Sequence, residues 1–186
     1  RSALELAVDL DHLMTLRYVI TYAAIIAAES EDLPRLAELL GDAERLLKRL
    51  PMPYLMIVGE ALRGWLNVCE GSPEGIEKIV RSVARSRTDG ETLHLTYTLL
   101  LLARAHPMAG QWLQGRPATR EALSWSDRHN QRYLEGELWR VDGELAHPGG
   151  ETEAAAVSLR RAIEIATTQR AGWLELRALH SLASRF

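Results

Sequence analysis

Apolar residues recur at three- and four-residue spacing through most of this chain, and that period commits it to helices. Leu33, Leu36, Ala37, Leu40, Ala43, Leu47 and Leu50 fall on one helical face. Arg35, Glu38, Asp42, Arg45 and Arg49 lie largely opposite, so this helix has one buried side. Val, Ile and Thr are not gathered into alternating runs, which leaves no candidate strand. Pro, Gly and short polar turns cut the pattern into about nine helices, near 3–28, 32–50, 53–70, 73–87, 91–106, 117–128, 131–146, 151–168 and 172–185. Pro34 suits a first helical turn, and Ser72 reads as an N-cap. The least regular stretch, 107–117, holds Pro107, Gly110, Gly115 and Pro117 and is expected to be a mobile loop.

The helices repeat in pairs. A small residue sits where two helices approach closely, and a small or apolar residue follows twelve positions later. Further apolar positions come four and three residues after that. Ala24 is followed in this way by Leu36, Leu40 and Ala43. Gly64 is followed by Ile76, Val80 and Val83, and Gly143 by Ala155, Leu159 and Ala162. These anchors place a further unit near Ala103 and give a period of about 40 residues, longer than the ~34 of the best-known helix–turn–helix repeat. Ala105-His106-Pro107 and Ala146-His147-Pro148 recur about one period apart. The stretch 107–122 fits worst, because its small residue is not expected to fall at the repeat offset.

The segment 133–145, Tyr-Leu-Glu-Gly-Glu-Leu-Trp-Arg-Val-Asp-Gly-Glu-Leu, resembles a known group, as do Leu-Arg-Arg-Ala-Ile-Glu-Ile-Ala and Leu-Glu-Leu-Arg-Ala-Leu-His-Ser-Leu-Ala within 159–183. Both look like the C-terminal tetratricopeptide-like repeats of large bacterial signalling proteins. Leu10 to Leu50 is similar to the start of such tails. In that group a winged-helix DNA-binding domain or a class III adenylate or guanylate cyclase domain precedes a P-loop ATPase domain and the repeat tail. The resemblance implies an all-α, tetratricopeptide-like α-α superhelix, or solenoid, of about four helix pairs plus a C-terminal helix. It also implies a single repeat domain over 1–186, cut from a longer protein; the absence of an initiator Met at Arg1 agrees with that reading.

Composition narrows the function. Lys plus Arg total 22 against 25 Asp plus Glu, a formal charge of −3, so the chain lacks the basic excess that duplex binding requires. The apolar run from Tyr18 to Ala28 is interrupted by Thr21 and falls short of the ~20 residues that span a bilayer. The one cysteine, Cys69, forms no internal disulfide and reads as a small core residue of a chain from a reducing, cytoplasmic compartment. There is no Gly-x-x-x-x-Gly-Lys-Ser/Thr and no Gly-x-Gly-x-x-Gly, and Gly71-Ser72-Pro73-Glu74-Gly75 lacks the spacing of a nucleophile elbow. No two of the six histidines stand three or four apart, so no helix presents a two-histidine metal face. The paired carboxylates, such as Glu135 with Glu137, read as solvated faces. No catalytic residue, metal or cofactor is therefore assigned.

What remains is a non-catalytic protein-interaction and scaffolding module of a signalling or transcriptional regulator. In a stacked repeat the first helix of each pair lines the inner surface. The register projects Tyr18, Trp65, Tyr97, Arg104, Glu137, Arg140 and Glu144 onto it, and aromatic residues and arginine are frequent interface anchors. The expected partner is a protein or peptide, or another domain of the same polypeptide. The alternative is a small-ligand sensor that regulates an attached ATPase, cyclase or DNA-binding domain. Self-association into a homo-oligomer is a third reading.

Overall fold

The structure, a computed structural model, describes residues 5–7, 12–47, 52–90 and 92–185. The described residues are helical with short turns and contain no strand. In chain order the helices are α1 (Leu13–Glu29), α2 (Leu33–Leu47), α3 (Pro53–Cys69), α4 (Glu74–Thr88), α5 (Leu95–Met108), α6 (Trp112–His129), α7 (Glu135–Ala146), α8 (Thr152–Thr168) and α9 (Gly172–Ala183). Short 3-10 turns precede and follow α7, at Arg132–Leu134 and His147–Gly149. None is long and apolar enough to cross a membrane. Leu50 and parts of the segments expected near 3–28, 32–50 and 91–106 lie outside the described residues.

The chain gathers into two compact units, Arg1–His94 and Leu95–Phe186. In the first, α1 packs on α2 and α3, and α3 packs on α2 and α4. In the second, α5 packs on α6, α7 on α8, and α8 on α9, while α7 also touches α5 and α9. Each unit is thus built from helix pairs whose first helices are neighbours, the arrangement of a helical repeat.

The turns carry the repeat as clearly as the helices do. The first helix of each pair ends in one left-handed residue: Glu31 (φ 59°), Gly71 (φ 84°), Gly110 (φ 75°) and Gly150 (φ 79°). The next amide then reaches back five residues: Asp32 to Ala27 (2.9 Å), Ser72 to Asn67 (2.8 Å), Gln111 to His106 (2.8 Å) and Glu151 to Ala146 (3.3 Å). This is the Schellman closure, in which the amide just past the helix satisfies an orphan carbonyl. Its recurrence every 39 or 40 residues marks the same period as the packing positions.

Small residues set the closest contacts. A Cβ on Gly64 would lie 2.6 Å from the Gly75 carbonyl oxygen, and one on Gly75 would lie 2.3 Å from that of Gly64. A Cβ on Gly143 would meet Leu159 Cγ at 2.7 Å and the Ala155 carbonyl oxygen at 3.0 Å. The register of the second helix pair, α3 with α4, shifts by one residue from the expected one. Gly75, Ile79 and Ser82 are buried, whereas Val80 is 46% exposed. α4 begins only one residue before Gly75, while α2, α6 and α8 begin three residues before Leu36, Gly115 and Ala155.

Three other expectations change. The stretch 107–117 is largely helical, because Pro107 falls in the last turn of α5 and Pro117 is accommodated inside α6. Pro117 deprives the Leu113 carbonyl of its amide donor, but Leu113 is 73% exposed, so water can serve. Pro107 likewise frees the Ala103 carbonyl, and Gly115 packs against it: a Cβ there would lie 2.5 Å from that oxygen. Gly115 is twelve residues past Ala103, so the third pair is in register after all. The N-cap of α4 is Pro73, without a side-chain cap, and Ser72 does not serve. His12 breaks the first expected helix: its extended backbone (φ −102°, ψ 98°) makes it the N-cap of α1, accepting the Thr15 amide at 3.3 Å. Cys69 is half-buried, not in the core.

Candidate functional site

In the second unit, the α7 side chains Glu137, Arg140 and Glu144 follow at i, i+3 and i+7 and share one helical face. Arg140 donates to both Glu137 carboxylate oxygens (Nε 2.8 Å, Nη2 2.7 Å), a bidentate pair on adjacent turns. Its Nη1 reaches the Glu144 carboxylate at 2.6 Å and the Ser181 hydroxyl at 3.1 Å. Ser181 in turn donates to Glu144 at 2.8 Å. Arg177 on α9 stands 3.1 Å from Glu137, and Arg185 stands 4.0 Å from Glu144. Arg104 on α5 acts on Glu137 through its charge. Three first helices, α5, α7 and α9, thus meet in one polar cluster with four arginines and two glutamates.

Burial and pairing oppose each other here. Burial pushes the Glu137 carboxyl up, yet its bonds to Arg140 and the charges of Arg140, Arg177 and Arg104 prevail and hold it below the ordinary carboxylate value. Burial pulls Arg140 down, and Glu137 and Glu144 more than restore it, so it is raised and stays charged. A buried pair of this kind is stable only with its further hydrogen bonds in place.

The other side of α7 is occupied too. Arg116 on α6 contacts Asp142 at 3.2 Å, and Ser158 on α8 donates to Asp142 at 2.8 Å. These contacts tie α6, α7 and α8 together.

The residues projected from the sequence divide accordingly. Glu137, Arg140, Glu144 and Arg104 come together. Glu137 (1% exposed) and Arg140 (6%) are buried, however, so they hold the cluster in place and do not stand open to a partner. Trp65 (4%) and Tyr97 (3%) are buried as well. The physical reason is common to all four: a first helix packs on its pair mate and on the next first helix, so part of its projected inner face becomes core. Tyr18 is half-buried on α1 in the other unit. Arg177, Ser181 and Arg185 were missed. Arg177 lies one 40-residue period after Glu137, and projecting the register once more would have found it.

The first unit holds a cavity of about 300 Å³ between α1, α2, α3 and α4. Leu40, Leu55 and Leu62 give it an apolar lining. Arg17, Arg63, Lys78, Arg81 and Arg85 line it alongside Glu44 and Glu60. Arg63 Nη2 pairs with Glu44 at 2.6 Å, while Glu60 is shared by Arg81 (3.5 Å) and Arg85 (3.3 Å). The sequence reading placed Leu40 on a buried helix face but picked out none of the charged residues, because they come from four helices and form no local motif. Among the described residues, no three His, Cys, Asp or Glu side chains converge as metal ligands would.

No protein-family profile matches the chain, and no curated protein sequence does. Among solved structures the fold is similar to the crystal structure of a signal transduction ATPase with numerous domains, carrying a tetratricopeptide repeat sensor, from Pyrococcus horikoshii. The TM-score is 0.68 at 14% identity, over 96% of this chain. The chain spans 28% of the length of that protein. The likeness shows the fold: this is an all-α helical repeat of the tetratricopeptide-like kind.

Proposed function

We propose that this chain is a non-catalytic repeat module of a cytoplasmic regulatory protein of the bacterial signalling or transcriptional kind, and that it docks an acidic protein segment on the α5–α7–α9 face. The observation that carries this reading is the cluster's charge. Arg104, Arg140, Arg177 and Arg185 outnumber Glu137 and Glu144 in a chain whose formal charge is −3. Arg140 and Glu137 are fixed by each other, and the half-buried Arg104 and Arg177 flank them where a partner carboxylate can be met. Arginine forks suit carboxylates because they bind them bidentately. Any turnover belongs to domains attached to this module, and the likeness to an ATPase that carries a repeat sensor supports that division of labour.

The test is fluorescence anisotropy with a labelled Glu/Asp-rich peptide and a Lys-rich control. The acidic peptide should bind, and Arg104→Glu should weaken it by about tenfold or more. Equal binding of both peptides, or no loss on reversal, would refute the docking face. A small-ligand sensor is the second reading, and the cavity of the first unit is the observation that favours it.

A further inference from the structure

We infer that the cavity of the first unit binds a small amphipathic anion, a carboxylate on a compact apolar body. This rests on the sensor reading and names its ligand class. At about 300 Å³ the cavity sits at the small end of the ~300–1,000 Å³ typical of ligand sites. Its walls combine buried leucines with a polar rim, the usual composition of such sites.

The rim selects the charge. Arg63, Lys78, Arg81 and Arg85 outnumber Glu44 and Glu60 there. Glu44 is taken up by Arg63 at 2.6 Å. Glu60 is divided between Arg81 and Arg85 at 3.5 and 3.3 Å, contacts longer than the ~2.7–2.9 Å of a tight charge-assisted bond. Both guanidiniums are half-exposed and can turn to a ligand carboxylate while remaining near Glu60. Lys78 is positioned by Asn67, whose amide oxygen accepts its Nζ at 2.9 Å once the amide is turned to satisfy both of its partners.

Gly59 supplies an independent observation. It lies in the interior of α3, where glycine weakens a helix relative to alanine. At Gly64, five residues on, the Gly75 backbone requires the missing side chain; at Gly59 a Cβ would meet nothing within 4 Å. Gly59 lines the cavity, so its absent side chain keeps space open there and serves no close helix contact. A helix that forgoes stability to keep a cationic, leucine-lined cavity open is built for an occupant.

Isothermal titration with octanoate, octanol and octylamine tests this on the chain as it stands. Octanoate should bind about tenfold or more tightly than octanol, and octylamine should not bind. The double variant Arg81→Gln/Arg85→Gln should bring octanoate down to the octanol level. Gly59→Leu should abolish binding while the helical circular dichroism is kept and the urea midpoint does not fall, and Gly59→Ala, the milder change, should weaken it. Octanoate and octanol binding alike would overturn the anion assignment and leave the sensor reading standing. No binding by any of the three would overturn both. Octanoate binding to a folded Gly59→Leu variant as it does to the parent would place the site elsewhere and overturn the inference.

Discussion

The same substitution at two points of α3 should have opposite effects. Gly64 and Gly59 both lie inside this helix, and glycine to alanine there normally gains about 1 kcal/mol. At Gly59 nothing lies within 4 Å of the new Cβ, so the full gain should appear. At Gly64 the Cβ would stand 2.6 Å from the Gly75 carbonyl oxygen and 2.8 Å from Ile79 Cγ1. The first distance is short by ~0.7 Å of the ~3.3 Å at which carbon and carbonyl oxygen normally meet. The obstruction is backbone, with no rotamer to escape into, so α3 and α4 must move apart. Overpacking costs about 1–3 kcal/mol, and a backbone clash belongs in the upper half of that range. After the helix gain, Gly64→Ala should lose about 1–2 kcal/mol while Gly59→Ala gains up to about 1. With a urea m-value of about 2 kcal/mol/M, the two variants should differ by roughly 1 M or more in midpoint. Far-UV circular dichroism of the two variants and the parent decides it. Gly64→Ala as stable as Gly59→Ala would refute the close approach of α3 and α4.

In the second unit, Gly143→Leu and Ala155→Leu should each cost about 1–3 kcal/mol in urea unfolding, because both crowd the α7–α8 contact. Exposed Glu153→Leu should change stability by about 0.5 kcal/mol or less, and equal effects at all three positions would contradict the register. Arg140→Met should destabilise by about 3 kcal/mol by stranding the buried Glu137 carboxylate, whereas a neutral result would mean that Arg177 and Arg104 suffice to hold it. His94 is 7% exposed, with Nε2 unpartnered among the described residues and the ring edge-on to Tyr22 at 5.8 Å. Burial lowers its pKa below the ordinary value of 6.5, so below that pH the unfolded chain takes up a proton that the folded chain refuses. Stability should therefore fall as pH drops from 6.5 toward the lowered value, and His94→Phe should flatten that slope in urea midpoints; an unchanged slope would exclude His94 as its source.

The fold was readable because helical period and breaker residues are local signals. Gly71, Gly110 and Gly150 stand visibly one period apart. Their counterpart Glu31 does not announce its left-handed turn, since nothing in a glutamate prescribes positive φ. Pro107 and Pro117 misled for the opposite reason: proline normally ends helices, but here one freed carbonyl meets Gly115 and the other belongs to the exposed Leu113. The α7 cluster was half legible. Glu137, Arg140 and Glu144 share a face by spacing alone, but their depth depends on α9, whose Arg177 and Ser181 complete the network. The cavity of the first unit was not legible at all, since its rim is assembled from separate helices and its clearest signature, Gly59, looks like any other helical glycine until the space around it is known.

The docking face is tested most directly by mapping amide chemical-shift changes on the isotopically labelled chain as a Glu/Asp-rich peptide is added. The shifts should concentrate around Arg104, at Glu137–Glu144 and at Arg177–Arg185, and should vanish in the Arg104→Glu/Arg177→Glu variant. Shifts centred instead on the exposed Arg160 and Arg161 of α8, or shifts that survive the double reversal, would contradict it.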